Sequence, residues 1–274
     1  FSMQCILTAL KAESQPLIDQ FNLNRDTSFQ FPVFKNNDLY LVGIGVGKKN
    51  IKNRIETFLN QNNPDLIQFI NIGIAGGNPK STKIGYCYLI HKIEDESFKQ
   101  SYYPDILIKH NFEEISLVTV ESVIFDGEGV YKGLVDMEAS EIFKICSSHI
   151  PVHRMAFLKI VSDPMDLDVV EFTFHKVSGL VSSKLKEIEN FITEFKKLLS
   201  TEKPILNKSD FEWIHSISNH YSITETQQQQ LIHRSKGFRL RNQIVPFPEI
   251  NQDKPKSKTD RNQIFKNICA ELSA

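Results

Sequence analysis

Apolar runs rich in β-branched residues take turns with stretches of helical period, and this alternation limits the fold more than any other feature of the chain. Strand-like runs fall at residues 4–7, 39–44, 66–72, 86–91, 115–120 and 156–161, several of them apolar on both faces, as strands inside a sheet must be. Helix-period stretches lie between them at residues 12–21, 48–60, 138–147 and 177–199. In the last, Leu185, Ile188, Phe191, Ile192, Phe195 and Leu198 form one stripe. The order predicts an α/β fold: a three-layer sandwich whose central mixed, mostly parallel sheet is flanked by helices.

The strand signals stop near Thr201, where Pro204 follows a charged turn. Ser209-Asp210-Phe211-Glu212 reads as a capping box opening a helix to about His220, and Thr224 with Gln227 as a second, to about Phe238. Pro246, Pro248 and Pro255 among Lys, Asp and Asn give the composition of a linker, and a last helix is expected over residues 261–272. An α/β domain at residues 3–200 and a small C-terminal helical appendage at 201–274 follow. Phe1 and Ser2 precede Met3 and read as an addition, so the native chain is expected to start at Met3.

Composition removes several classes of function. A formal net charge of -1 gives no general attraction to nucleic acid or anionic membrane. No apolar run reaches the roughly 18–20 residues of a membrane span, and no signal-peptide pattern opens the chain. Cys5, Cys87, Cys146 and Cys269 stand apart with no CxxC pair, as free thiols in a reducing cytoplasm do. No metal-ligand spacing occurs, and the eight histidines are scattered. Neither a metal nor a cofactor is expected.

Three strings carry the chemistry: Asn71-Ile72-Gly73-Ile74-Ala75-Gly76-Gly77, Val135-Asp136-Met137-Glu138, and Ser162-Asp163. Each puts bare backbone or a carboxylate where an apolar run gives way to a loop or helix, the place where α/β sheets hold ligands. Gly43-Ile44-Gly45-Val46-Gly47 lacks the spacing of a phosphate-cradling loop, and Asn78-Pro79 interrupts what a dinucleotide fingerprint would continue as a helix. Glu13 at the start of a helix reads by itself as a partner of the helix dipole. Asp136 and Glu138, two apart, are expected to point different ways, with Glu138 facing a site and Asp136 holding the helix terminus.

Taken in order with Glu13 and Gly43-Ile44-Gly45, the three strings resemble the purine nucleoside phosphorylase and methylthioadenosine/S-adenosylhomocysteine nucleosidase superfamily over about residues 3–197. The resemblance implies cleavage of the N-glycosidic bond of a nucleoside. It makes Asp163 the acid that protonates the leaving base and Glu13 the residue that activates water. Glu138 grips the ribose hydroxyls, Met137 packs on the sugar, and Ala75, Gly76, Ile124 and Ser162 contact substrate. Phosphorylases of this kind carry arginine where Asn71 stands and a hydroxyl residue where Ile74 stands, both suited to phosphate. Their absence favours water as the nucleophile, with Arg25 as one remaining cation.

The expected substrate is an adenine-type nucleoside, methylthioadenosine- or S-adenosylhomocysteine-like, with a futalosine-like one second. The family usually stacks an aromatic ring on the base where this chain offers Val123; Phe125, Phe172 and Phe174 are the substitutes in view. The resemblance further implies a cytoplasmic homodimer or higher oligomer, with Tyr102-Tyr103-Pro104 as the candidate loop closing a neighbour's pocket. Two alternatives stay open. One is a phosphate-dependent phosphorylase. The other is a non-catalytic nucleoside sensor whose tail docks a partner, since His233, Arg234, Lys236, Arg239 and Arg241 cluster there and residues from 201 onward hold 11 Lys and Arg against 8 Asp and Glu. A solvated helix face is the plainer account of that cluster, and nucleic acid is not the expected partner.

Overall fold

The computed structural model describes residues 2–62, 66–122, 124, 127, 129–165, 173–201, 205–242, 244–249 and 253–273. Val123, Phe125, Phe172 and Pro204 lie outside the described residues. The chain divides into two compact units, Phe1–Glu202 and Lys203–Ala274. In unit 1 the order is β1 (Ser2–Thr8), α1 (Lys11–Gln20), β2 (Asn24–Arg25), β3 (Val33–Asn36), β4 (Leu39–Gly43), α2 (Lys48–Asn62) and β5 (Leu66–Gly77). Then come β6 (Cys87–Asp95), β7 (Gln100–Tyr102), β8 (Glu113–Thr119), β9 (Leu134–Asp136), α3 (Ala139–Ser147), β10 (Met155–Asp163), α4 (Phe174–Ser182) and α5 (Leu185–Thr201).

All ten strands join one mixed sheet. Its long pairings, β1 with β4 and β5, β5 with β10, and β6 with β8, are parallel, and the antiparallel ones are short. Strands β5, β10, β6, β8 and β9 pair in a ring, so the sheet curls closed on one side of β5, while β1, β4, β3 and β2 extend it on the other. The two faces are read off strand parity. Cys5, Leu7, Phe69, Phe157 and Val161 point to the side covered by α2 and α3; Ile6, Ile70, Ile72, Leu158 and Ile160 point to the side covered by α1, α4 and α5. This is the expected α/β layering, with a helix-covered core on each face of the sheet.

Buried amides register α5 on the sheet. Gln4 Nε2 donates to Gln68 Oε1 at 3.0 Å and to the carbonyl of Ile192, and Gln68 Nε2 donates to the carbonyl of Phe195 at 2.7 Å. Satisfied amides of this kind fix register where apolar contacts alone would allow sliding.

Several boundaries differ from the sequence reading. The stretch at 177–199 is two helices, because Ser183 Oγ donates back to the carbonyl of Leu180 at 2.7 Å and ends α4 before the α5 stripe begins. The glycine string is strand rather than loop: β5 runs through Gly77 because β10 and β9 pair with its end. Short strands β2, β3, β7 and β9 carry too little periodicity to be legible.

Unit 2 holds α6 (Lys208–His220), α7 (Glu225–Arg241) and α8 (Lys258–Glu271) around Leu206, Ile214, Ile217, Tyr221, Leu231 and Phe265. Thr224 and Gln227 cap α7 as expected, but α6 starts two residues early, on an Asn207–Asp210 capping box. Arg239 forks onto the buried carboxylate of Asp210 (2.9 and 2.6 Å) and lies 4.1 Å over the ring of Phe247; Arg241 donates to the carbonyl of Leu272. Two cations of the basic cluster therefore find their partners within the unit itself. No helix among the described residues is long and apolar enough to cross a membrane.

Candidate active site

The carboxyl-terminal end of β5 gathers the acidic residues from three separate stretches of chain. Glu13 comes from the first turn of α1. Its Oε2 accepts from the backbone N–H groups of Ala9 and Leu10, both at 2.9 Å, and its Oε1 accepts from Ile74 N on β5 at 2.9 Å. The residue therefore caps its own helix and reaches across to β5 at the same time. Gly73 makes the approach possible, since a Cβ there would sit 2.8 Å from Glu13 Oε1. Burial pushes the Glu13 carboxyl up, opposed by its backbone donors at Leu10 and Ile74, by the charge of Lys159, and by Ala9.

Lys159 is the residue the sequence reading missed. It sits in the middle of β10, paired with Gly73 in the sheet and 2% exposed. Strand parity sends its side chain the same way as Phe157 and Val161, toward β9 and α3. There its Nζ meets Asp136 Oδ2 at 2.8 Å. Burial works against the ammonium, but Asp136, Glu138 and Glu13 outweigh it and hold its pKa above the ordinary lysine value. One signal was available: a lone lysine inside Phe157-Leu158-Lys159-Ile160-Val161 has to find charge partners indoors.

Asp136 is fully engaged. Its Oδ1 accepts from Thr119 Oγ1 at 2.7 Å, and its Oδ2 accepts from Ala139 N, the opening of α3, at 3.0 Å, as well as from Lys159. The helix-terminus role of Asp136 holds. Glu138 is pushed up to about 7 by burial first and then by the charge of Asp136, with Lys159 pulling down and Glu13 pushing up. Asp136 pairs directly with Lys159, and the charge of the same ammonium also reaches Glu138 at the junction of β9 and α3.

Asp163 ends β10 beyond a register shift after Val161, which turns it against Gly76. A Cβ on Gly76 would come 3.1 Å from Asp163 Oδ1. Oδ1 accepts from Met165 N at 2.9 Å, and Ser162 Oγ lies 2.7 Å from Oδ2 and 3.2 Å from the carbonyl of Ala75. Met137 and Ile124, both half-buried, pack on a small cluster of Val120, Val135 and Met165 beside this carboxylate.

The structure thus brings Glu13, Lys159, Asp136 and Glu138 together and sets Asp163 with Ser162, Ala75 and Gly76 a few residues further along β5. Asn71 is a strap, its Nδ2 donating to the carbonyl of Leu7 at 3.0 Å, and Arg25 is exposed with its guanidinium over the ring of Phe34. Phe174 is 43% exposed at the start of α4 and meets the ring of His175 edge to face. Tyr103 is exposed beyond the end of β7. No three His, Cys, Asp or Glu side chains among the described residues are grouped as metal ligands; an ammonium, Lys159, neutralises the carboxylate cluster instead.

No protein-family model and no curated protein sequence matches the chain. Solved structures do. The 5'-methylthioadenosine/S-adenosylhomocysteine nucleosidase of S. pneumoniae, solved with a transition-state inhibitor, superposes with a TM-score of 0.59 over 71% of this chain and 99% of its own, at 14% identity. The 5'-methylthioadenosine nucleosidase of Arabidopsis thaliana gives 0.55 over 76% and 98%, at 18% identity. The futalosine hydrolase of Helicobacter pylori gives 0.56 over 70% and 98%, at 13% identity. The structural neighbours of this chain are therefore nucleosidases, and what it shares with them at these identities is the fold.

Proposed function

We propose that the protein hydrolyses the N-glycosidic bond of an adenine-type nucleoside, methylthioadenosine-, S-adenosylhomocysteine- or futalosine-like, with water as nucleophile. One observation supports the reading: Glu13 on Ile74 and Asp163 against Gly76 flank the end of β5, and the charge of Glu13 reaches Glu138, in a fold whose solved neighbours are nucleosidases. As the bond stretches, the base leaves as an incipient anion and the sugar gains oxocarbenium character, so the site has to supply a proton on one side and electrons on the other. Asp163 protonates a ring nitrogen of the base. Glu138 grips the ribose hydroxyls, with Met137 against the sugar.

Glu13 takes the proton of the attacking water. Its raised pKa makes the ionised carboxylate a stronger base than an exposed glutamate, and its three backbone donors keep it aimed. Lys159 lets Glu13, Asp136 and Glu138 share one buried space by neutralising part of their charge. Phosphate finds little to hold it near β5, given that Asn71 is tied to Leu7 and Arg25 lies exposed on β2. A cytoplasmic homodimer or larger assembly completes the proposal, with the segment from Tyr102 onward at the neighbour's pocket.

Incubation with a panel of purine nucleosides, with and without phosphate, followed by chromatography for free base, tests it. Base release without phosphate is expected, falling about 10²-fold or more in Asp163→Asn. A requirement for phosphate, or full activity in that variant, refutes it.

A further inference from the structure

Five described residues other than glycine have left-handed backbones: Asn22, Asn37, Lys99, Ser222 and Met165. The first four are exposed. Met165, with φ 61°, is 2% exposed and lies two residues beyond Asp163. Glycine or asparagine is the usual occupant of such a left-handed backbone. A methionine is strained there, and what its side chain touches has to hold it in place.

What it touches is the candidate site. Its N–H turns back onto Asp163 Oδ1, and its carbonyl accepts from Gly127 N at 3.1 Å. Its side chain lies so close to two glycines that a Cβ on Gly76 would come 2.9 Å from Met165 Cγ, and one on Gly127 would come 3.0 Å from Met165 Sδ. Ile124 and Met137 pack on the same small cluster. Met165 therefore occupies the corner between the bare backbone of Gly76, the carboxylate of Asp163, and the loop carrying Ile124.

We propose that the Met165 thioether is the inner wall of the berth for the substrate's heterocycle, a flat aromatic ring lying against it with its edge on Asp163. This deepens the nucleoside-hydrolase reading and rests on it. A polarizable, unbranched thioether suits an aromatic face, and its three rotatable bonds let it repack from Ile124 and Met137 onto the ring. The strained backbone ties the wall to the acid, so that the ring and the proton donor are placed by one turn.

The chain has four methionines, which makes methyl-labelled methionine NMR of the full protein tractable. On titration with adenine the Met165 methyl, assigned by substitution, shifts, whereas Met3 and Met155, fixed in the main core, do not. In Met165→Gly, which suits the left-handed backbone and keeps the N–H on Asp163, KM for methylthioadenosine rises about tenfold with kcat nearly kept. If Met137 responds to methylthioadenosine while Met165 stays silent, the wall is elsewhere and the hydrolase reading survives. If Met165→Gly lowers Tm but leaves KM unchanged, Met165 is core filling and the proposal fails. If no methyl responds and no base is released, both readings fall.

Discussion

Replacing Lys159 by methionine removes the ammonium while nearly preserving side-chain length. Lys159 and Asp136 are 2% and 1% exposed, so solvent screens their 2.8 Å contact very little. Breaking one partner out of such a pair costs about 3–5 kcal/mol, because the remaining charge stays buried without its partner. Here Glu13 and Glu138 also lose their attraction to the same cation, which puts the upper part of that range in reach. For a unit of this size the loss corresponds to a fall in Tm of roughly 6–20 °C. Chemical unfolding between about pH 5 and pH 9 measures it and adds a sign. Without the ammonium, the clustered carboxylates bind protons more readily in the folded than in the unfolded chain, so the variant regains stability as pH falls, more steeply than the parent. A Lys159→Met protein within about 1 kcal/mol of the parent at pH 8, with no steeper recovery in acid, would refute the reasoning.

Gly73→Ala puts a methyl group 2.8 Å from Glu13 Oε1 and should push that carboxylate off Ile74 N. Turnover is expected to fall about 10²-fold while stability drops by only about 1–2 kcal/mol, which steady-state kinetics and thermal melts separate. Glu138, raised from 4.5 to about 7, keeps its proton in the folded state over a range where the unfolded chain has lost it. Its contribution to stability therefore falls as pH rises across that window. In the proposed ribose-gripping role the ionised form is the stronger acceptor for sugar hydroxyls, so KM should fall as pH rises through about 7; a KM profile in Glu138→Gln that retains the same step would sink this assignment.

The strands that became the centre of the sheet were legible because a strand buried on both faces is apolar along most of its length. β1, β4, β5 and β10 are of that kind, and so is most of β6. Helix α5 was legible by its stripe, though its separation from α4 was not, since one serine hydroxyl bonding back to Leu180 leaves no periodic trace. Glu13 illustrates the limit from the other side. A glutamate in the first turn of a helix looks the same whether it caps its own helix or reaches a strand some sixty residues away, and here it does both.

From the sequence alone followed the layer architecture, the helical tail, and the acidic residues at the ends of strands. These depend on period, composition and local chemistry, which act over a few residues. Only the tertiary structure decided that Lys159 is the counter-ion of Asp136, Glu138 and Glu13, that Arg239 is spent on Asp210, and that Met165 leans on Gly76. Pairings of this sort are set by register between distant strands and by the space a missing Cβ leaves, and neither quantity is carried by any one stretch of chain.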